Sequence, residues 1–376
     1  MQPSYPAAGA IAGRVQSHFD AHLADARERG HRNLAERPSV AAIESIIDAA
    51  FWASLRREEG FVPKISLALA PPDRAAFPLL FERPLRLAPE TLTRLAPAVE
   101  RPGIHLGVWP RESGELAVWG TTRVVPSLSF VLEVVAPGLL VVKHRRSSEA
   151  AKFVNVAVLE GETIKILDEQ GATIPDCPTV LASLLGFDSS SESLNVLVEL
   201  AVSMRAHGRG GALLVVPSGS EEWRASIVQP ISYGVSPPLI TLAELVRRDP
   251  AERNGHEWQD ALHRAVDATA GLTAVDGATI LTDTFELLAF GAKITRRTAS
   301  ARVEHVVVSE PVEGNVAAVM NPSEIGGTRH LSAAQFVHDQ RDAMAYVASQ
   351  DGHFTIFAWS SCDEVVHARR VEALLL

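Results

Sequence analysis

Cysteine is nearly missing from this chain: only Cys177 and Cys362 occur in 376 residues. Two thiols exclude a disulfide framework and are too few for a structural zinc site, which leaves both as plain buried or half-buried side chains. Net positive charge is missing as well. At a formal charge of -10 the chain disfavours non-specific nucleic-acid binding, although a local basic pocket can still hold an anionic small molecule. No apolar run reaches membrane-spanning length before charge or proline interrupts it, and Met1 to Gly13 lacks a basic start followed by an apolar stretch. The expectation is a cytoplasmic protein with neither membrane nor nucleic acid as partner. The thirteen histidines read as scattered, with no HExxH and no comparable ligand pair on one helical face. No repeat period is visible.

What is present is apolar side chain, 47% of the residues, and the length favours two domains over one core. Residues 1–38 read as an N-terminal arm, with one helix through Phe19, Leu23 and Leu34 broken at Pro38. From Ser39, a helix N-cap, Ile43, Ile46, Ile47, Ala50, Phe51 and Leu55 recur at helical spacing until Gly60. Strand-like runs follow at Lys64–Ala70, Ile104–Trp109, Glu115–Trp119, Ser127–Val135 and Leu139–His144, then a hairpin of Phe153–Leu159 with Thr163–Leu167. Residues 39–185 are therefore expected to form a smaller α+β domain.

Asp188-Ser189-Ser190-Ser191-Glu192-Ser193 marks a change of composition, which places the domain boundary near residue 185. Residues 186–376 read as an α/β domain, a mixed sheet flanked by helices. Its expected strands are Ala212–Val216, Ala278–Leu281, Phe285–Phe290, Val303–Ser309, Val316–Met320 and a terminal hairpin of Ala343–Ala348 with Phe354–Trp359. Its expected helices run through Leu194–Met204, Leu242–Val246, Trp258–Ala270 and Ser332–Asp342.

Two short stretches in this half carry chemistry. Val275-Asp276-Gly277-Ala278 offers a carboxylate at a tight turn, with no side chain at Gly277 to block a metal-bound phosphate. Gly326-Gly327-Thr328-Arg329-His330 offers open backbone, a hydroxyl, a guanidinium and an imidazole ahead of a helix, whose free N–H groups favour anions. Either stretch alone also reads as an ordinary turn or a capped loop.

In order, Gly211-Ala212-Leu213-Leu214-Val215-Val216, Asp276-Gly277-Ala278, Gly327-Thr328-Arg329-His330 with Ser332-Ala333-Ala334, and Ala348-Ser349-Gln350-Asp351-Gly352 resemble the diadenylate cyclase domain. That family joins two ATP molecules into cyclic di-AMP, and the likeness extends to its branch with an N-terminal sensor domain through Phe51-Trp52-Ala53-Ser54-Leu55 and Arg205 to Gly211. Three positions depart from the family pattern. Leu331 stands for the last Arg of its RHR triplet, Val275 for the His that often precedes DGA, and Gln350-Asp351 for an acidic pair. A lost guanidinium removes a bidentate phosphate contact, so an impaired member that binds ATP or cyclic dinucleotide without turnover is the alternative.

The resemblance implies pyrophosphate release, homo-oligomers with facing active sites, and Mg²⁺ or Mn²⁺ held by Asp276. It implies that Gly277 and Ala278 admit the ribose and phosphate, that Gly327, Thr328, Arg329 and Ser332 grip the phosphates, that His330 orients them, and that Ser349 adds a contact. Elsewhere, Lys143-His144-Arg145-Arg146 reads as a strand end with solvated charges. Trp109, Trp119, Trp223 and Trp258 read as packing residues, His256 and His263 as surface residues, and Ser309-Glu310 as a coincidental likeness to a family motif.

Overall fold

The computed structural model describes residues 4–145, 153–168, 196–249, 252–253 and 256–376. The chain divides into two compact units, one of Met1–Leu167 with Leu376 and one of Asp168–Leu375. The sequence-expected boundary near 185, Cys177 and the serine-rich stretch lie outside the described residues. Among the described residues no helix is long and apolar enough to cross a membrane.

The first unit is a mixed sheet with a helical layer. Its elements are α1 (Pro6–Glu28), α2 (Val40–Ser54), β1 (Ile65–Leu69), β2 (Leu79–Arg86), α3 (Pro89–Val99), β3 (His105–Pro110), β4 (Leu116–Thr122), β5 (Phe130–Ala136), β6 (Leu139–Arg145), β7 (Phe153–Glu160) and β8 (Thr163–Ile166). The strand order is β2-β4-β3-β1-β5-β6-β7-β8, with β1 parallel to β3 and the other pairs antiparallel.

Helix α1 corrects the reading of residues 1–38 as an arm. Ile11, Val15, Phe19 and Leu23 recur at i, i+4 and are 0–1% exposed, a stripe packed among core residues of this unit. Pro6 opens that helix, where a missing N–H costs nothing. Ser39 caps α2 as expected, its hydroxyl accepting from the Ala42 N–H. Two elements escape the sequence patterns. Helix α3 carries Pro97 inside it, which argues against a helix although Leu92, Ala96 and Val99 are buried at helical spacing, and edge strand β2 is exposed along almost its whole length, so it shows no alternation.

The strand end at β6 also differs from expectation. Lys143 donates to Glu133 with only 11% of its side chain exposed, His144 is 4% exposed, and Arg145 donates to the Val125 carbonyl. Lys143, His144 and Arg145 are integrated side chains rather than solvated charges, because β6 is an inner strand and not an edge, and Arg146 lies outside the described residues. His18 and His22 of α1 stand four residues apart beside His144, which overturns the expectation that no histidine pair shares a helical face.

The second unit holds α4 (Val196–Ala206), β9 (Gly211–Val216), β10 (Tyr233–Leu239), α5 (Thr241–Arg247), α6 (His256–Leu272), β11 (Ala278–Thr282) and β12 (Leu287–Ala292). It continues with β13 (Val306–Ser309), β14 (Ala318–Met320), α7 (Pro322–Ile325), α8 (Thr328–Asp339), β15 (Met344–Ala348), β16 (Phe354–Ser360) and β17 (Val365–Arg370). The order is β10-β12-β11-β9-β15-β16-β17-β13-β14. Strands β9 and β15 are buried on both faces, with one apolar cluster under α4, α5 and α6 and another under α8.

This is the α/β mixed sheet flanked by helices that the pattern predicts. Residues 354–359 are not a terminal hairpin arm, since β17 pairs with β16 and carries the sheet on to β13. The strand expected at Phe285–Phe290 starts later, because Phe285 adopts a left-handed turn conformation with φ 67°. Strand β10 was not foreseen, since two prolines lie in it; it is the sheet's edge, where a missing N–H is tolerated. Trp119, Trp223 and Trp258 are buried and their indole N–H groups donate to Ala70, Ser220 and Leu245 carbonyls, in keeping with a packing role. His263 is exposed as expected, whereas Cys362, expected to be at least half-buried, is exposed in the turn after β16. The side chain of His256 lies outside the described residues.

Candidate functional site

Sheet register brings four chain segments to one end of the inner strands β12, β11, β9 and β15. Strands β9 and β11 run parallel with Ala212 opposite Ala278, so Gly210 and the Asp276-Gly277 turn enter the sheet side by side. Strand β15 runs antiparallel to β9 and ends with Ala348 opposite Gly211; β12 runs antiparallel to β11 and ends with Ala292 opposite Ala278. Ser349-Gln350-Asp351 and Lys293 therefore leave the sheet where Gly210 and Asp276 enter it.

The turn before β11 is sterically fixed. Gly277 has φ 121°, and a Cβ added there would lie 2.4 Å from the Gly291 carbonyl carbon and 2.6 Å from its oxygen. Only glycine permits this approach of β11 to β12. It also turns Asp276 outward, with 90% of its side chain exposed, where Lys293 donates to one carboxylate oxygen. That hydrogen bond and the Lys293 charge hold the Asp276 carboxyl below its usual range, and the Arg329 guanidinium is near enough to add to the effect.

Arg329 comes to the same end of the strands from α8. A Cβ added at Gly210 would meet an Arg329 Nη1, the Ala348 carbonyl oxygen and the Gln350 side chain, each at 3.2 Å. Asp276, Lys293 and Arg329 thus group a carboxylate and two cations although the sequence separates them widely. Gly327 and Thr328 are exposed at the start of α8, whose N-terminus has no side-chain cap and no acidic residue in its first turn. The His330 and Leu331 N–H groups donate to the Gly327 carbonyl, which leaves those of Thr328 and Arg329 to face an anion. Ser332, half-buried, lies one turn further along the helix. Ser349 is half-buried after β15; its hydroxyl bonds to Asp351 and lowers that carboxyl's pKa.

His330 does not join the exposed group, which corrects its expected role in orienting phosphates. It begins the inward stripe of α8 with Ala333, Ala334 and Val337, is 3% exposed, and packs edge-on against Phe357 at 6.0 Å. Burial depresses its pKa, with the Arg370 charge adding and Asp351 opposing. A Cβ at Gly326 would sit 2.4 Å from His330 Nδ1, so this glycine makes room for the imidazole rather than for a ligand.

Residues that sequence reasoning missed are Lys293 and Tyr233; Gly210 belongs to the Arg205 to Gly211 stretch that carries the resemblance, without a role at the site. Tyr233 of β10 stacks on Phe290 at 4.9 Å with planes 6° apart, remains 51% exposed, and abuts Gly291. A lone lysine after a strand, or a tyrosine in a proline-rich segment, carries no local pattern; only the pairing of β10, β12 and β11 brings them beside Asp276.

As for a metal, Asp276 is a single exposed carboxylate with an exchangeable cationic partner. That donor set fits Mg²⁺ or Mn²⁺, hard cations that keep waters and bind through one or two carboxylates plus substrate phosphates. It does not fit a closed all-protein cage.

No curated protein matches the chain. Residues 32–123, which include α2, β1, β2, α3, β3 and β4 of the first unit, match the family model described as "Probable sensor domain DACNV".

Proposed function

We propose that the second unit is a diadenylate cyclase that condenses two ATP molecules into cyclic di-AMP with release of pyrophosphate, under regulation by the N-terminal sensor unit. The observation that carries this reading is the convergence of Asp276, Lys293 and Arg329 at one end of strands β9 and β11, where the Lys293 hydrogen bond and charge depress the Asp276 carboxyl pKa and the Arg329 charge adds to it. The sensor-domain match at residues 32–123 supports the arrangement of regulator and catalytic unit.

Joining two nucleotides needs each 3'-hydroxyl in line with the other's α-phosphate, so the protein's task is positioning and charge neutralisation. One ATP is bound by each of two facing protomers. Bound Mg²⁺ or Mn²⁺, held by Asp276, supplies Lewis-acid polarisation of the phosphate and lowers the hydroxyl pKa. Arg329 stabilises the charge that grows on the transferring phosphoryl group, and Thr328, Ser332 and the N–H groups of Gly327 and its successors grip the phosphates. Lys293 exchanges its bond to Asp276 for a phosphate oxygen. Gly277 and Ala278 leave room for the ribose, Tyr233 offers an exposed aromatic face to adenine, and Ser349 adds a contact through its hydroxyl. His330 supports the start of α8 from beneath.

Leu331 and Val275 favour a second reading, a unit that binds ATP or cyclic dinucleotide without turning it over. The cyclase reading requires a rise in melting temperature with ATP, and the second reading a rise with ATP or with cyclic di-AMP, each weakened by Arg329→Met. Absence of any rise overturns both, and product formation separates them.

A further inference from the structure

We propose that the first unit carries a transition-metal site built from His18, His22 and His144, independent of the nucleotide site. His18 and His22 are separated by one helical turn on α1, the spacing that lets two imidazoles on one face reach a common ion. His144 lies on β6, where Leu140 and Val142 of the same alternating row belong to the core that holds α1 and α2. That alternation turns His144 toward the helical layer. The ring of His144 stands 5.6 Å from His18 and 5.2 Å from His22, and the two helical rings are 4.2 Å apart.

One donor nitrogen from each of the three residues lies within 4.8 Å of the other two. Around a tetrahedral ion with bonds of about 2.0–2.1 Å the donors stand about 3.4 Å apart, a closure of roughly an ångström that imidazole rotation supplies. Phe19 backs the cluster, its ring 6.2 Å from His144 and 5.8 Å from Phe130, so one side of the site is dry. His18 and His22 are half-buried, which leaves a path for the ion from solvent.

Three imidazoles and no thiolate select borderline ions, Zn²⁺ first and Ni²⁺ or Cu²⁺ as competitors, over Mg²⁺ and Ca²⁺. Three protein ligands also leave a fourth position to water or an exogenous donor. Because the ligands come from α1 and β6, occupancy ties the helix to the sheet and adds its binding energy to folding of this unit. All three histidines lie outside residues 32–123, so the site extends the sensor unit beyond the matched stretch.

The test is titration of the full-length, untagged chain with Zn²⁺ by calorimetry and by competition with a chromophoric chelator, with Co²⁺ absorption as the geometric probe. The expected result is one saturable ion per chain, an intense tetrahedral Co²⁺ spectrum, and a higher melting temperature with Zn²⁺ that Mg²⁺ does not reproduce. His22→Gln, a half-exposed helix position, is expected to weaken Zn²⁺ binding by about a hundredfold or more, the upper end of what losing even an outer ligand partner costs. X-ray absorption on the unaltered protein, showing three imidazole nitrogens on the ion, gives support that needs no variant. No saturable uptake, or uptake undiminished in both His18→Gln and His22→Gln, overturns the proposal.

Discussion

Replacing Gly277 by alanine isolates the steric demand on which the carboxylate's position rests. The added Cβ would stand 2.4 Å from the Gly291 carbonyl carbon, a backbone atom held in the pairing of β11 with β12, so no side chain can rotate away to relieve it. The φ of 121° adds strain of its own for an L side chain. Strain of about 1–3 kcal/mol and overpacking of about 1–3 kcal/mol together give roughly 2–6 kcal/mol. At about 2–4 °C per kcal/mol for a unit of this size, the melting temperature should fall by at least about 4 °C. Gly327→Ala provides the contrast within the other motif, since nothing lies within 4 Å of its added Cβ; there the loss should stay under about 1 kcal/mol, the scale of a weakened N-cap. Thermal unfolding by circular dichroism reads both, and the rate of cyclic di-AMP formation reads whether Asp276 has moved. A Gly277→Ala chain melting within about 1 °C of the parent would refute the steric reasoning.

Asp276→Asn should lower turnover by at least about a hundredfold while ATP affinity changes little, because its interaction is made mainly in the transition state; equal loss of both would argue against that role. Asp339 is a buried carboxylate whose desolvation is outweighed by hydrogen bonds from Ser300, the Arg297 N–H, His338 and Gln335, so its pKa lies below the ordinary value. A depressed carboxyl stabilises above its unfolded pKa and loses that contribution as pH falls through the folded value; Asp339→Asn should therefore flatten the acid loss of stability below about pH 4 in denaturant titrations. His330, neutral through burial, should titrate below 6.5 by proton NMR, and a midpoint above that value would contradict its packing. Its contribution to stability is present above the unfolded pKa and lost as pH falls toward the folded one.

The outline of the second unit was legible because buried strands such as Ala212–Val216 and Ala278–Thr282 are short apolar runs between glycines and polar turns. Strand β17 was not, since Val365–Arg370 mixes His and Arg that only the surrounding chain buries, and β10 hides behind its prolines. Asp276 and Arg329 could be named in advance because each sits in a local motif. Lys293 and Tyr233 could not, because long-range strand pairing alone makes them neighbours of Asp276. His330 is buried for a helical reason: it lies on the inward stripe with Ala333 and Val337, whereas its sequence neighbour Arg329 does not. The i, i+4 spacing of His18 and His22 contradicts the expectation of scattered histidines once residues 6–28 are a helix rather than an arm, and His144 joins them only through the packing of α1 on the sheet.

The most direct measurement of the central claim is chromatography after incubating the full chain with ATP and Mn²⁺. Cyclic di-AMP and pyrophosphate are expected from the parent chain and neither from Asp276→Asn. ATP recovered intact from the parent, under conditions where it raises the melting temperature, would contradict the cyclase reading and leave nucleotide binding without turnover.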